Sequence, residues 1–230
     1  MVVMTMEKDL GSSLLFFALF ISMLWLATAQ AAYLGIGLAL FSAGAAFAFS
    51  AFGHVQIRIE TWLDPWSRAD DQGYQLVQAA YAFGSGGFAG AGPGLGSPGK
   101  IPAATTDFIF AAVGEELGLL GTAAVLVVFV LIIGSGLRIS LWTEHPFEKL
   151  LAAGLTTILA VQTFVIIGGV TRLVPLTGVT LPFMSYGGSS LVANYILLAL
   201  LLRISDDTAA RGRRAAADAA LLAGEAEARR

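Results

Sequence analysis

The run DFIFAAVGEELGLLGTAAVLVVFVLIIGSGL, Asp107–Leu137, decides what kind of chain this is. Its 31 residues would make one straight helix of about 46 Å at 1.5 Å per residue. The hydrocarbon core of a bilayer is only about 30 Å thick. The run is too apolar for a soluble loop and too long for one perpendicular span. The reading that fits both facts divides it. Asp107–Glu116 forms a short helix at or dipping into one membrane face, and the span proper begins at Leu117. Glu115 and Glu116 then mark the boundary, with Gly114 and Gly118 as the places for a bend.

Outward from this run the chain keeps the same character. Hydrophobic residues make up 57% and charged residues 13%, with a mean hydropathy of +0.78. Soluble domains carry about 25% charged residues. Spans are predicted at Leu10–Thr28, Tyr33–Phe52, Leu117–Leu137, Leu150–Gly168 and Tyr186–Leu202. The fold class is therefore an all-α polytopic membrane protein with about five transmembrane helices. Ala27 opens an A-x-A pattern like that of a signal peptide. The preceding Glu7, Lys8 and Asp9 are not a positive leader, however, and the apolar stretch is too long for a signal.

Positive charge sets the orientation. Arg138 and Lys149 flank one short connection, and Arg203, Arg211, Arg213, Arg214, Arg229 and Arg230 follow the last span. Both segments belong in the cytoplasm. That puts the 53–116 connection outside, along with the second outer loop, Gly168–Ser185, and Met1. Residues 1–206 form the membrane unit, and 207–230 read as a charged, Ala-rich cytoplasmic tail, helical or disordered.

The 53–116 loop is too long for a plain connector. Trp62, Trp66, Tyr74, Tyr81, Phe83 and Phe88 suit a membrane–water boundary. Within it GLGSPGKI, Gly94–Ile101, nearly matches a phosphate-binding P-loop, but Ile101 replaces the hydroxyl residue and Pro102 blocks the helix that should follow. Dinucleotide binding fails for want of a strand–turn–helix context. The absence of Cys and two distant histidines, His54 and His145, argue against a thiolate or zinc site. A net charge of -3 without a basic groove argues against nucleic acid.

Asp107, after Thr105 and Thr106, reads on its own as a helix-start acid, and Glu115 and Glu116 as interface solvation. Eight residues of helix would hold Asp107 and Glu115 about 12 Å apart along the axis, beyond the roughly 5–9.5 Å of a carboxylate pair that hydrolyses sugars.

The second outer loop carries a more specific pattern. PLTGVTLPFMSYGGSS, Pro175–Ser190, resembles the signature of the SEDS family, the FtsW/RodA/SpoVE proteins. Blocks similar to the family's occur in order at DLGSSL (Asp9), RIETWLDPW (Arg58), GYQLVQAAYAFGSGG (Gly73) and TDFIFAAVGEELGLLG (Thr106). The resemblance runs from Lys8 to about Asp206 and is strongest to actinobacterial RodA-type members. It matches the second half, spans six to ten, of a ten-span architecture, and so implies a missing N-terminal half as a partner.

The resemblance implies a peptidoglycan glycosyltransferase that polymerises lipid II in the bacterial plasma membrane beside a class B penicillin-binding protein. Asp107 would be the catalytic carboxylate. Lys100, Arg172, Glu115, Ser185, Tyr186, Gly187, Gly188 and Ser189 are candidate substrate-binding residues. No metal ligands are assigned and no cofactor is evident from the residues, while the resemblance allows a divalent cation. The family's usual P-E-A-H-T-D-F block reads Pro102-Ala103-Ala104-Thr105-Thr106-Asp107-Phe108 here, without its Glu and His. The alternatives are a flippase for lipid-linked precursors and a non-catalytic truncated fragment. Gly187 and Gly188 are expected to let helices approach closely, so that Gly188→Leu lowers folded yield. The chain expressed alone is expected not to polymerise lipid II.

Overall fold

The computed structural model describes residues 10–228. The Met1 placement, Asp9 of the first family-like block, and Arg229 and Arg230 lie outside the described residues. The described residues form helices joined by turns and loops, with no strand among them. Its elements are α1 (Leu10–Thr28), α2 (Ala32–Ala51), α3 (Gly53–Leu63), a 3-10 turn at Trp66–Arg68, α4 (Tyr74–Gly86), a second 3-10 turn at Pro98–Lys100, α5 (Ile109–Trp142), α6 (Pro146–Val170) and α7 (Gly188–Ala228). Five of these, α1, α2, α5, α6 and α7, are long and apolar enough to cross a membrane.

α6 is the central helix. It packs on α1, α5 and α7 and is the most enclosed of the five. Small residues bring its neighbours close. A side chain at Gly136 of α5 would strike Thr156 of α6, and one at Gly154 would press on Met23 of α1. By contrast α1 and α2 expose large apolar side chains such as Phe20, Leu38 and Phe47. Such surfaces are compatible with hydrocarbon rather than water.

The 53–116 connection is largely folded. α2 ends at Phe52, whose extended backbone (φ -125°, ψ 112°) lets the chain restart as α3. α4 then crosses the first turns of α5 at very short range. Gly86 sits directly against the Gly114 carbonyl, where any side chain would collide. Beneath this crossing lies the main core, where Leu76 and Ala79 of α4 meet Phe110 and Ala111 of α5, Ile166 of α6, and Phe108.

α5 divides at Gly118, which adopts φ 64° and ψ -160° inside an otherwise helical run. Only glycine occupies that backbone region comfortably. The break frees backbone groups on both sides, and the 87–92 segment satisfies them. Ala91 and Gly92 donate to the carbonyls of Glu115 and Glu116, both at 2.9 Å. Leu119 and Leu120 donate to Gly87 and Phe88 at 2.9 and 3.2 Å. Four backbone bonds thus replace the lost helical ones. Of the two glycines expected to allow a bend, Gly118 makes it, while Gly114 stays helical and packs against Phe83.

The opposite end of the bundle gathers the basic residues. Arg138 stacks over Trp142 at 3.9 Å, Arg211 pairs with Glu148, and Arg203 pairs with Asp207 at 3.1 Å. α7 runs 41 residues, about 62 Å, without a break. The helix continues through residue 206, where the Ala-rich sequence propagates it.

Gly118→Ala should place a Cβ against the Gly90 nitrogen and the Phe88 carbonyl. Backbone strain alone costs about 1–3 kcal/mol. We expect a lower unfolding midpoint in detergent than for Gly134→Ala, which lies further along the same helix and whose Cβ meets nothing within 4 Å.

Candidate active site

A cavity of about 660 Å³ opens at the end of the bundle away from the basic cluster. One wall is a face of α3, where His54, Arg58 and Thr61 recur at helical spacing. Asp71, Tyr74 and Gln75 form a second wall at the start of α4. Asp107 and Gly178 close the third.

Asp107 precedes α5, in the turns between Ile101 and Phe108. Its neighbour Phe108 is fully buried in the core, which fixes the backbone there and leaves Asp107 facing the cavity. The signature loop holds the same backbone from the other side. The Ser185 hydroxyl donates to the Thr106 carbonyl at 2.6 Å and accepts from the Leu181 N–H at 2.7 Å. The Tyr186 N–H donates to the Thr105 carbonyl at 2.7 Å. Gly178, at φ 76°, lies close enough that an added Cβ would stand 3.8 Å from Asp107 Oδ2. Two distant sequence blocks, Thr105–Asp107 and Thr177–Tyr186, are therefore one structural unit.

Partial burial raises the Asp107 pKa above its ordinary value of 3.8, against the opposing effects of the Thr106 hydroxyl and the positive charge of Arg58. Arg58 is available for this because Glu60, two residues on, pairs with Arg68 instead, at 2.5 Å. One Arg58 nitrogen donates to the Leu176 carbonyl at 3.3 Å. Neither His54 nor Thr61 was singled out as a site residue from the sequence. Each is an ordinary residue type, and the only sequence signal was their spacing around Arg58 in the RIETWLDPW region.

The other sequence candidates separate. Arg172 donates to the Trp62 and Leu63 carbonyls at 3.2 and 3.1 Å, at the C-terminal end of α3, and accepts from the Trp62 indole at 3.0 Å. It holds α3 in place and does not line the cavity. Lys100 is exposed on the 3-10 turn. Glu115 accepts from the Ser97 N–H at 3.0 Å and so anchors the glycine-rich loop. Tyr186 and Ser189 are exposed, and Ser190 bonds Thr180 at 2.7 Å. The expected tight packing at Gly188 is corrected here: a Cβ there meets nothing within 4 Å, and one at Gly187 finds only ordinary contacts. The penalty for Gly188→Leu is withdrawn, because the close approach in this region belongs to Ser185 and Gly178. For a divalent cation, no group of three or more His, Asp or Glu side chains suited to a metal gathers among the described residues. The side chains of Asp71, Asp107 and His54 do not fit one by themselves.

The sequence model of the cell cycle protein family FtsW/RodA/SpoVE matches residues 1–210. The chain belongs to this family. It is 55% identical over 203 residues to the peptidoglycan glycosyltransferase RodA of Mycobacterium tuberculosis (strain H37Rv), covering 88% of this chain and 43% of that protein. The Mycobacterium leprae protein of the same name is 53% identical, covering 88% of this chain and 44% of that one. The chain thus spans under half the length of these curated relatives. A solved chain described as "Structural coordination of polymerization and crosslinking by a peptidoglycan synthase complex" superposes with a TM-score of 0.73 at 25% identity, over 89% of this chain and 58% of that one. Membership and the five apolar helices make this a multi-pass membrane protein.

Two outcomes follow for stability. With its pKa raised in the fold, Asp107 contributes fully to stability below pH 3.8, and this contribution is lost as pH rises through the higher folded value. Asp107→Asn should therefore unfold at a higher temperature than the parent at neutral pH, with the difference closing below pH 3.8. Ser185→Ala leaves the buried Leu181 N–H unpaired, at a cost of about 1–3 kcal/mol. Its Tm should fall, while Tyr186→Phe, altering an exposed ring, should leave Tm unchanged.

Proposed function

We propose that this chain carries the catalytic carboxylate of a peptidoglycan glycosyltransferase that polymerises lipid II, acting in the bacterial plasma membrane. The observation that carries the reading is the position of Asp107. It is a partly desolvated carboxylate at the edge of a cavity, with its backbone held by the family's signature loop. The activity is proposed for the family fold, of which this chain spans under half of the curated relatives' length.

Asp107 is the general base. Its carboxylate takes the proton of the acceptor sugar hydroxyl as that oxygen bonds to the anomeric carbon of the lipid-linked donor. The bond from that carbon to the pyrophosphate oxygen breaks, and lipid pyrophosphate leaves with the electron pair. A raised pKa makes the carboxylate a stronger base toward the hydroxyl it must deprotonate. The cavity faces the outside of the cell and the Arg138–Arg211 end faces the cytoplasm, in keeping with the excess of Lys and Arg there. A class B penicillin-binding protein is the partner that would cross-link the product.

In membranes that carry the complete assembly, Asp107→Asn should lower lipid II polymerisation by about 10²–10⁴-fold at unchanged protein level. Near-normal polymer on a gel of labelled product would remove Asp107 from this role. In the parent, polymerisation should begin to fall on acidification at a higher pH than an ordinary aspartate would impose.

A further inference from the structure

The α3 wall of the cavity has a property the general-base reading does not use. Thr61 is 94% buried (6% exposed), yet its hydroxyl has no hydrogen-bond partner. The Nε2 atom of His54, two turns earlier on the same face, is also buried and unpartnered. Both residues line the cavity, with Arg58 between them. Buried polar atoms normally find a partner, because losing water with nothing in return is unfavourable. Two such atoms on residues that line one cavity are groups that a ligand seated there, with a small shift of the α3 side chains, would complete.

The charges around the cavity select the ligand. One guanidinium, Arg58, stands against two carboxylates, Asp71 and Asp107. A pyrophosphate would meet more repulsion than attraction there. The remaining polar lining is uncharged, from Gln72, Gln75 and Tyr74. Amide, hydroxyl and imidazole groups beside an aromatic ring match the hydroxyls and acetamido group of a neutral sugar. We infer that the α3 face is a sugar subsite, in which Thr61 Oγ1 and His54 Nε2 hydrogen-bond the uncharged acceptor sugar and present its hydroxyl to Asp107. The donor pyrophosphate then lies outside this cavity. His54 and Thr61 are positioning residues, and the assignment rests on the glycosyltransferase reading above for the identity of the sugar.

The test uses the purified full chain in lipid nanodiscs. The probe is the soluble disaccharide of two N-acetylglucosamine units, with no lipid, phosphate or carboxylate, followed by saturation-transfer NMR. The parent should bind it, and inorganic pyrophosphate should not displace it. Thr61→Val, which keeps the shape and loses the hydroxyl, should weaken binding about tenfold, and Thr61→Ser should restore it. His54→Phe should weaken binding similarly, and His54→Gln should retain most of it. No binding by the parent, unchanged binding by Thr61→Val with a normal Tm, or displacement by pyrophosphate would each overturn the proposal. The general-base assignment fails separately. Polymerisation by Asp107→Asn would sink that role while leaving the sugar subsite in place. A dead Asp107→Asn with normal sugar binding by Thr61→Val would do the reverse.

Discussion

Two hydrogen bonds between the signature loop and the Thr105–Asp107 turn, with a third inside the loop, hold the cavity end of this molecule together. Ser185 is the hub, accepting from its own loop and donating across to Thr106. The hydroxyl is buried, so the exchange takes place where water does not compete well. Phe108 fixes the same turn from below by filling the core between α4, α5 and α6. Asp107 lies between these two restraints, and its direction into the cavity follows from them.

The helix break at Gly118 serves the same arrangement from the membrane side. Had α5 run straight, its first turns would have continued along the span axis. The break lets Ile109–Leu117 take its own course over α4 while Leu119–Trp142 crosses the bilayer. The 87–92 segment takes over the freed backbone groups, so the glycine-rich loop completes the helix it covers. The three acids of this apolar run have different surroundings. Asp107 faces the cavity, and Glu115 holds Ser97 of the loop. Glu116 contributes its backbone carbonyl at the break.

Much of this was legible in the sequence. The mismatch between a run of about 46 Å and a core of about 30 Å demanded a division of Asp107–Leu137, and glycine named the places where it could fall. Apolar run lengths gave the five long helices, since hydropathy and helix rise are local properties. Pairing across the chain was not legible. Nothing local to Arg172 says that its guanidinium ends on the Trp62 and Leu63 carbonyls more than a hundred residues away. Nor does the helical spacing of His54, Arg58 and Thr61 reveal that this face meets Asp107, because amphipathic α3 would look the same against any polar neighbour. Gly188 misled for the same reason. A glycine pair beside a helix start suggests close packing, and only the neighbours show that none is there.

The contact from Ser185 has an uneven chemistry. On one side it needs a particular hydroxyl, which only serine or threonine supplies. On the other it touches carbonyl oxygens, which every residue carries. The position of the turn is therefore held through its backbone, while Pro102 at the cavity wall and the Thr106 hydroxyl beside Asp107 act through their side chains. The geometry of this end is thus specified by side chains in Pro175–Ser190 and received by backbone ahead of the carboxylate.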